Sequence, residues 1–208
     1  MDKKGIFISV EGTDGSGKST QIKRIEQYLK QKGHDVVLTR EPGGTNISEK
    51  IRSIILDPEN TEMGVVTELL LYAASRAQLM FQVIKPAISE GKIVICDRFI
   101  DSSFVYQGFG RGIPMDIVEG VNKVAIEGLF PDITFFFDIN PEIALSRRIA
   151  ATGSDRIEKE KMDFHWRVYG GYRKIASLYP ERIKSINANN NIESVFSEMR
   201  DWIDTLIK

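Results

Sequence analysis

Residues 5–11 read GIFISVE and residues 11–20 read EGTDGSGKST, and the join between them decides the fold. The first is a continuous apolar run, the pattern of a strand buried on both faces. The second sets Gly12, Gly17, Lys18 and Ser19 in the spacing G-x-x-x-x-G-K-S, and a helical pattern over about 17–32 follows it. Strand, glycine-rich turn and helix start, in that order, form the setting in which such a loop cradles phosphates. Glycines at 12, 15 and 17 let the backbone take positive φ and turn its N–H groups onto an anion, while the helix N-terminus adds a favourable dipole. Lys18 then offers a point charge to the outer phosphates of a nucleoside triphosphate, and Ser19 a hydroxyl to Mg²⁺. The expected triphosphate cradle is Gly12, Thr13, Asp14, Gly15, Ser16, Gly17, Lys18, Ser19 and Thr20. Asp14 is its odd member: a carboxylate is repelled by phosphates, so it is expected to face a second ligand's hydroxyl.

Four more short apolar runs lie downstream: DVVLTRE (35–41), KIVICDR (92–98), DITFFFDI (132–139) and RIKSINA (182–188). Helical patterns separate them, near 61–85, 114–127, 141–152 and 159–179, and a last stripe of Ile192, Val195, Phe196, Met199, Trp202, Ile203 and Leu206 ends the chain. The alternation predicts an α/β fold, a five-stranded parallel sheet with helices on both faces. At 208 residues, with neither repeat nor linker, the chain reads as one domain over 1–208.

Lys and Arg total 28 against 29 Asp and Glu. That balance leaves no basic footprint for a nucleic-acid polymer or an anionic membrane, so any phosphate must be met locally. No apolar stretch reaches the length of a membrane span, and the N-terminus lacks the long apolar region of an export signal. Cys96, the single cysteine, excludes an intrachain disulfide and reads as a small buried apolar side chain, which fits a reducing, cytoplasmic setting.

Ligands of an open parallel sheet bind beyond the carboxyl ends of its strands. The second run closes on Arg40, Glu41 and Pro42, and the third on Asp97 and Arg98. Arg40 and Arg98, at that edge, are expected to meet an anion, since the guanidinium fork suits phosphate. Arg24 and Arg200 read instead as surface ion pairs, and Gly43-Gly44 as a plain turn. Asp97 either pairs with Arg98, caps a helix or works near Mg²⁺. Arg147, Arg148 and Arg156 bracket IAATGSD: they form either a solvated face or a mobile flap, at about 147–160, that brings a charge over a transferring phosphate.

A regulatory GTPase is disfavoured, because the nearest approach to NKxD is Asn122-Lys123-Val124-Ala125 and no DxxG follows the loop. An ATPase strand ending in an acid survives weakly in Asp138. With EGTDGSGKST stand TREPGGT (39–45), ELLLYAASRAQL (68–79), CDRFIDSSFVYQGFGRGI (96–113), PDITFFFDINPE (131–142) and DRIE (155–158). In this order and spacing the chain resembles the bacterial thymidylate kinases over nearly its whole length.

The resemblance implies a P-loop NTPase three-layer sandwich and transfer of a phosphoryl group from ATP, with Mg²⁺, to dTMP, giving dTDP. It implies Lys18 and Arg98 as catalytic contacts, a flap charge from Arg148 or Arg156, and Mg²⁺ ligation by Ser19 and Asp97. Around the acceptor it implies Arg98, Arg40, Pro42 and Arg52 with Asp97 near the phosphate, and Asp14 at the sugar's 3′-hydroxyl. Tyr72 would stack on thymine, Arg76 donate to a base carbonyl, and Ser103 and Gln107 complete the polar edge. Tyr106 would leave no room for a ribose 2′-hydroxyl. The family commonly has Phe where this chain has Tyr72, and Gly15 directs attention to the flap for the arginine that the loop lacks. A homodimer through the 61–85 helix is implied too, although that pattern equally suits a buried central helix. A kinase of another pyrimidine monophosphate, and a nucleotide-responsive binding module without turnover, are the alternatives.

Overall fold

The computed structural model describes residues 5–149 and 155–207. Among them five parallel strands, β1 (Ile6–Glu11), β2 (Val36–Arg40), β3 (Ile93–Asp97), β4 (Ile133–Asp138) and β5 (Ile183–Asn187), form one sheet in the order β2-β3-β1-β4-β5. The register sets Val10 opposite Asp97 and Arg40 opposite Asp97, so the polar ends of β1, β2 and β3 close on one edge. Side chains alternate between two apolar faces. Ile8, Val10, Ile93, Ile95, Phe135 and Phe137 join one core, and Phe7, Val94 and Cys96 another.

The helices complete three layers. The first core is covered by α1 (Lys18–Gln31), which packs on the last helix of the chain, Ile192–Leu206. On the opposite face lies α3 (Val65–Leu79), flanked by α2 (Asn46–Leu56) and continued through a π-helical turn (Met80–Ile84) into α4 (Lys85–Ser89). The same face carries α5 (Ile100–Ser103) with a π-helical run (Phe104–Gly110), α6 (Met115–Ile126) and α8 (Met162–Leu178). The remaining helices are α7 (Pro141–Ile149) and α9, the terminal Ile192–Leu206. Of the terminal stripe, Val195, Met199 and Ile203 are buried, whereas Ile192 and Trp202 are exposed. Arg24 pairs with Glu193 at 2.6 Å and Arg200 with Asp201 at 2.8 Å, both at the surface.

Three elements depart from the expected pattern. Helix α2 was hidden by the polar stretch before it, although its N-cap is a local signal: Thr45 Oγ1 accepts from the Ser48 amide at 3.1 Å. The helix expected from 61 begins at Val65, after a turn, and widens into the π-turn before Pro86, which has no N–H to continue the ladder. The run 104–110 is also π-helical, and it carries Tyr106 and Gln107.

Candidate active site

The loop takes the strained backbone that its glycines permit, with φ of 137° at Gly12, 81° at Gly15 and 96° at Gly17, which caps α1. Lys18 is only 4% exposed, and its Nζ donates to the carbonyls of Gly12 and Thr13 at 3.0 Å each. Burial lowers its pKa, with Arg98 adding to that and Asp97, Asp14 and Glu11 opposing it. Ser19 and Thr20 are open to solvent at the helix start. The hydroxyls of Thr13 and Ser16 are buried without a partner among the described residues. Gly15 lies against α7: a Cβ there would stand 2.0 Å from the Ala144 carbonyl oxygen and 3.1 Å from the Arg148 amide.

Beside the loop is a cavity lined by Asp14, Pro42, Arg52, Tyr72, Arg76, Arg98, Tyr106 and Gln107, together with Glu41, Ser102, Asp155 and Ile157. Asp14 faces it, as its awkward charge suggested, and joins Arg98 at 3.0 Å. Burial works against the charged form of Asp14, yet Arg98 and then Lys18 outweigh it and hold the carboxyl well below the usual range. Arg98 has φ of 68°, a conformation that a side chain adopts at a cost of about 1–2 kcal/mol. Its amide donates to the Val10 carbonyl at 2.9 Å, and its carbonyl accepts from Cys96 Sγ at 2.9 Å.

Glu11, which was not singled out from the sequence, braces this turn. Its carboxylate is fully buried and accepts from the Phe99 amide at 2.7 Å, from Ser102 at 2.6 Å and from Tyr172 at 2.8 Å. Burial, and then the Asp101 charge, raise its pKa, and the Ser102 and Tyr172 hydroxyls with the Arg98 charge oppose the rise. The available signal was an acid closing a buried apolar strand, where only a well-paired carboxylate is tolerated.

Arg52 donates to the Pro42 carbonyl at 2.9 Å and has no carboxylate partner among the described residues, so a guanidinium free to take an anion lines the cavity. Arg40, half exposed, is paired to Glu49 at 2.8 Å and stands outside the residues that line the cavity. Arg76 does line it, but all five of its N–H groups are engaged by Glu41, Ser103, Asn122 and the Phe99 carbonyl. A base carbonyl would have to share one of these. Ser103 lies behind it, 1% exposed, and the hydroxyl on the cavity wall is that of Ser102. Tyr106 is held by Phe164 and Tyr172 at ring distances of 6.1 and 6.4 Å, with Arg98 5.2 Å above its face. Burial pushes the phenols of Tyr72 and Tyr106 upward, so both rings stay neutral.

Residues 150–154 of the expected flap lie outside the described residues. Arg148, on α7, pairs with Glu158 at 2.6 Å and acts electrostatically on Asp14. Arg156 is committed elsewhere, to the Ile55 carbonyl at 2.7 Å and to Glu68 at 2.7 Å. Of the two flap candidates, Arg148 thus stands in the field of Asp14, whereas Arg156 is turned to Glu68. Asp97 does not pair with Arg98: its Oδ1 is buried and has no partner among the described residues. No cluster of three or more His, Cys, Asp or Glu suited to a metal occurs among those residues, so Mg²⁺ here would need ligands from phosphate and water besides Ser19 and Asp97.

The chain is similar to known proteins along almost its whole length. The family model described as thymidylate kinase matches residues 10–199. A thymidylate kinase of Exiguobacterium is 50% identical over 95% of this chain and 93% of its own length. One from Clostridium novyi is 49% identical over 96% and 98%. The crystal structure of thymidylate kinase from Ehrlichia chaffeensis superposes with a TM-score of 0.79 at 35% identity, covering 96% of this chain and 98% of that one. A phosphate loop, an anion-ready cavity beside it and these likenesses along almost the whole length lead to one conclusion: the chain belongs to the thymidylate kinase family.

Proposed function

We propose that this chain transfers the γ-phosphoryl group of MgATP to dTMP, giving dTDP and ADP, and that residues 1–208 act as one domain. The observation that carries the reading is the single cavity in which Arg98 and the carboxylate-free Arg52 stand beside the triphosphate loop, with Asp14 shared between cavity and loop. Two guanidinium groups suit one phosphate monoester, and a wall of Tyr72, Tyr106 and Gln107 suits a flat base.

A phosphate oxygen of dTMP attacks the γ-phosphorus in line as the bond to the β,γ-bridging oxygen breaks. The attacking oxygen is already anionic, so neither a protein nucleophile nor a general base is required. The chain positions and neutralises. Lys18 exchanges its contacts with the Gly12 and Thr13 carbonyls for the phosphates, and the unpartnered Thr13 and Ser16 hydroxyls are donors in reserve at the same loop. Arg98 and Arg52 hold the acceptor phosphate, and Asp14 takes the 3′-hydroxyl. Arg148 reaches the phosphoryl group by leaving Glu158. Ile157, on the turn that follows the undescribed segment, helps to exclude water. Ser19 and Asp97 fit Mg²⁺, which when bound would neutralise charge on the β- and γ-phosphates.

We also propose a homodimer. Val66, Leu70 and Phe81 leave exposed apolar side chains on the outer side of α3 and its π-turn, which a partner surface would cover. A mass of twice the chain in light scattering tests it. No helix among the described residues is long and apolar enough to cross a membrane. The buried thiol Cys96 supports a cytoplasmic setting.

The test is phosphoryl transfer from MgATP to a panel of nucleoside monophosphates. dTMP is expected to lead with multiple turnovers. A preference for AMP, GMP or CMP overturns the reading, and binding without turnover favours the module that only senses nucleotide.

A further inference from the structure

Glu68 has no place in the reading above, yet it is one of the most heavily engaged groups in the molecule. It lies in the first turn of α3 and is 1% exposed. Four donors converge on its carboxylate. Gln107 Nε2 reaches Oε1 at 2.9 Å, Arg111 Nε reaches Oε1 at 3.2 Å and its Nη2 reaches Oε2 at 3.0 Å, and Arg156 Nη2 reaches Oε2 at 2.7 Å. Burial pushes its pKa upward, but hydrogen bonds from Arg111 and Gln107 outweigh that and leave it lowered, so the group is ionised.

An ionised carboxylate can only accept hydrogen bonds. The end of Gln107 that faces Glu68 must therefore be the NH₂ group, and the amide is denied the flip that would otherwise be nearly free. Gln107 lines the cavity, and its Oε1 has no partner among the described residues. The wall thus presents an acceptor, held in place from behind. Thymine carries a donor at N3, whereas cytosine carries a lone pair there, which would meet Oε1 acceptor against acceptor.

We infer that Glu68 is a positioning residue for base selection: by fixing the Gln107 amide it makes the cavity choose pyrimidines with an N3–H over those with an N3 lone pair. This rests on the reading of the cavity as the site of a pyrimidine monophosphate. A neutral amide in place of Glu68 can accept or donate. Gln107 is then free to turn its NH₂ toward the base, and cytosine is no longer opposed. The arginines add a structural duty, since Glu68 also holds Arg111, which pairs with Glu160 at 2.5 Å, and Arg156 beside the flap.

The experiment compares kcat/KM for dTMP and dCMP, with MgATP, in the wild type, Glu68→Gln and Glu68→Asp. Glu68→Gln is isosteric. Glu68→Asp keeps the charge but is one methylene shorter, so it loosens the hold on Gln107 while still offering a carboxylate to the arginines, and it is a second variant should the first not fold. The preference for dTMP over dCMP is expected to fall by about tenfold or more in either variant, the order of one hydrogen bond in a buried site. The loss should vanish when the same substitution is made in a Gln107→Leu background. A structural role alone would weaken both substrates equally. An unchanged ratio in a folded variant, or a fall that persists without Gln107, overturns the inference. A wild type that does not phosphorylate dTMP would instead overturn the underlying reading.

Discussion

Gly15→Ala tests how tightly the phosphate loop and α7 are built onto each other. The added Cβ would stand 2.0 Å from the Ala144 carbonyl oxygen, about 1.4 Å inside the 3.4 Å at which ordinary contact begins. That oxygen belongs to helix backbone and cannot swing aside, so α7 must move as a unit, and Arg148 with it. The φ of 81° adds about 1–2 kcal/mol of strain for a non-glycine residue. A displacement near 1 Å at a charge that must meet a transferring phosphate costs about 10²-fold in rate. Gly33→Ala is the control: φ there is 88°, but nothing lies within 4 Å of the new Cβ, so it carries the strain without the collision. Steady-state kcat with saturating dTMP and MgATP, together with urea unfolding, separates the two effects. Both variants should lose stability from strain, Gly15→Ala more because α7 must also shift, and only Gly15→Ala should lose about 10²-fold in kcat. If Gly15→Ala keeps kcat within about threefold, less than ~1 kcal/mol of barrier, the close seating of α7 is irrelevant to transfer and the reasoning fails.

The two flap arginines should part company in the same assay. Arg148→Ala is expected to lower kcat by about 10²-fold with little change in KM for dTMP, as for loss of one donor to developing charge. Arg156→Ala should instead lower the urea midpoint, because Glu68 and the Ile55 carbonyl lose a donor, and should spare kcat; the reverse ranking would exchange their roles. Asp14 should leave a signature in pH. Its carboxyl is held below its unfolded value of 3.8, so it stabilises the fold above that value and the contribution is lost as pH falls. The wild type should exceed Asp14→Asn in stability at neutral pH, and the gap should close below about pH 4. A gap that widens on acidification contradicts the ion pair with Arg98.

Much of the fold was legible because it is written in short apolar runs. A strand buried on both faces cannot hide its composition, and glycines that need positive φ announce the loop. Arg98 and Asp14 were also legible, from a cation at a strand end and a carboxylate where phosphates should repel it. What failed was partner assignment. Arg40 and Arg52 look alike in sequence, and only the fold shows that Glu49 occupies one while the other lies in the cavity without a carboxylate. Arg76 and Ser103 belong to the binding region but spend their hydrogen bonds on each other and on neighbours. Glu11 and Glu68 were passed over because an acid in an apolar stretch reads as an interruption. Its meaning comes from donors 91 and 88 residues away, Ser102 for the first and Arg156 for the second.

The central claim is that one site holds two phosphates from opposite sides, Lys18 on the donor and Arg98 on the acceptor. The dissociation constant of dTMP, measured calorimetrically for Lys18→Ala and Arg98→Ala beside the wild type, addresses it most directly. Lys18→Ala should bind dTMP almost as the wild type does while transferring almost no phosphate. Arg98→Ala should weaken dTMP binding by about tenfold or more, as expected for loss of a charged hydrogen-bond donor. Unaltered dTMP binding in Arg98→Ala, or its loss in Lys18→Ala, would contradict this division of the site.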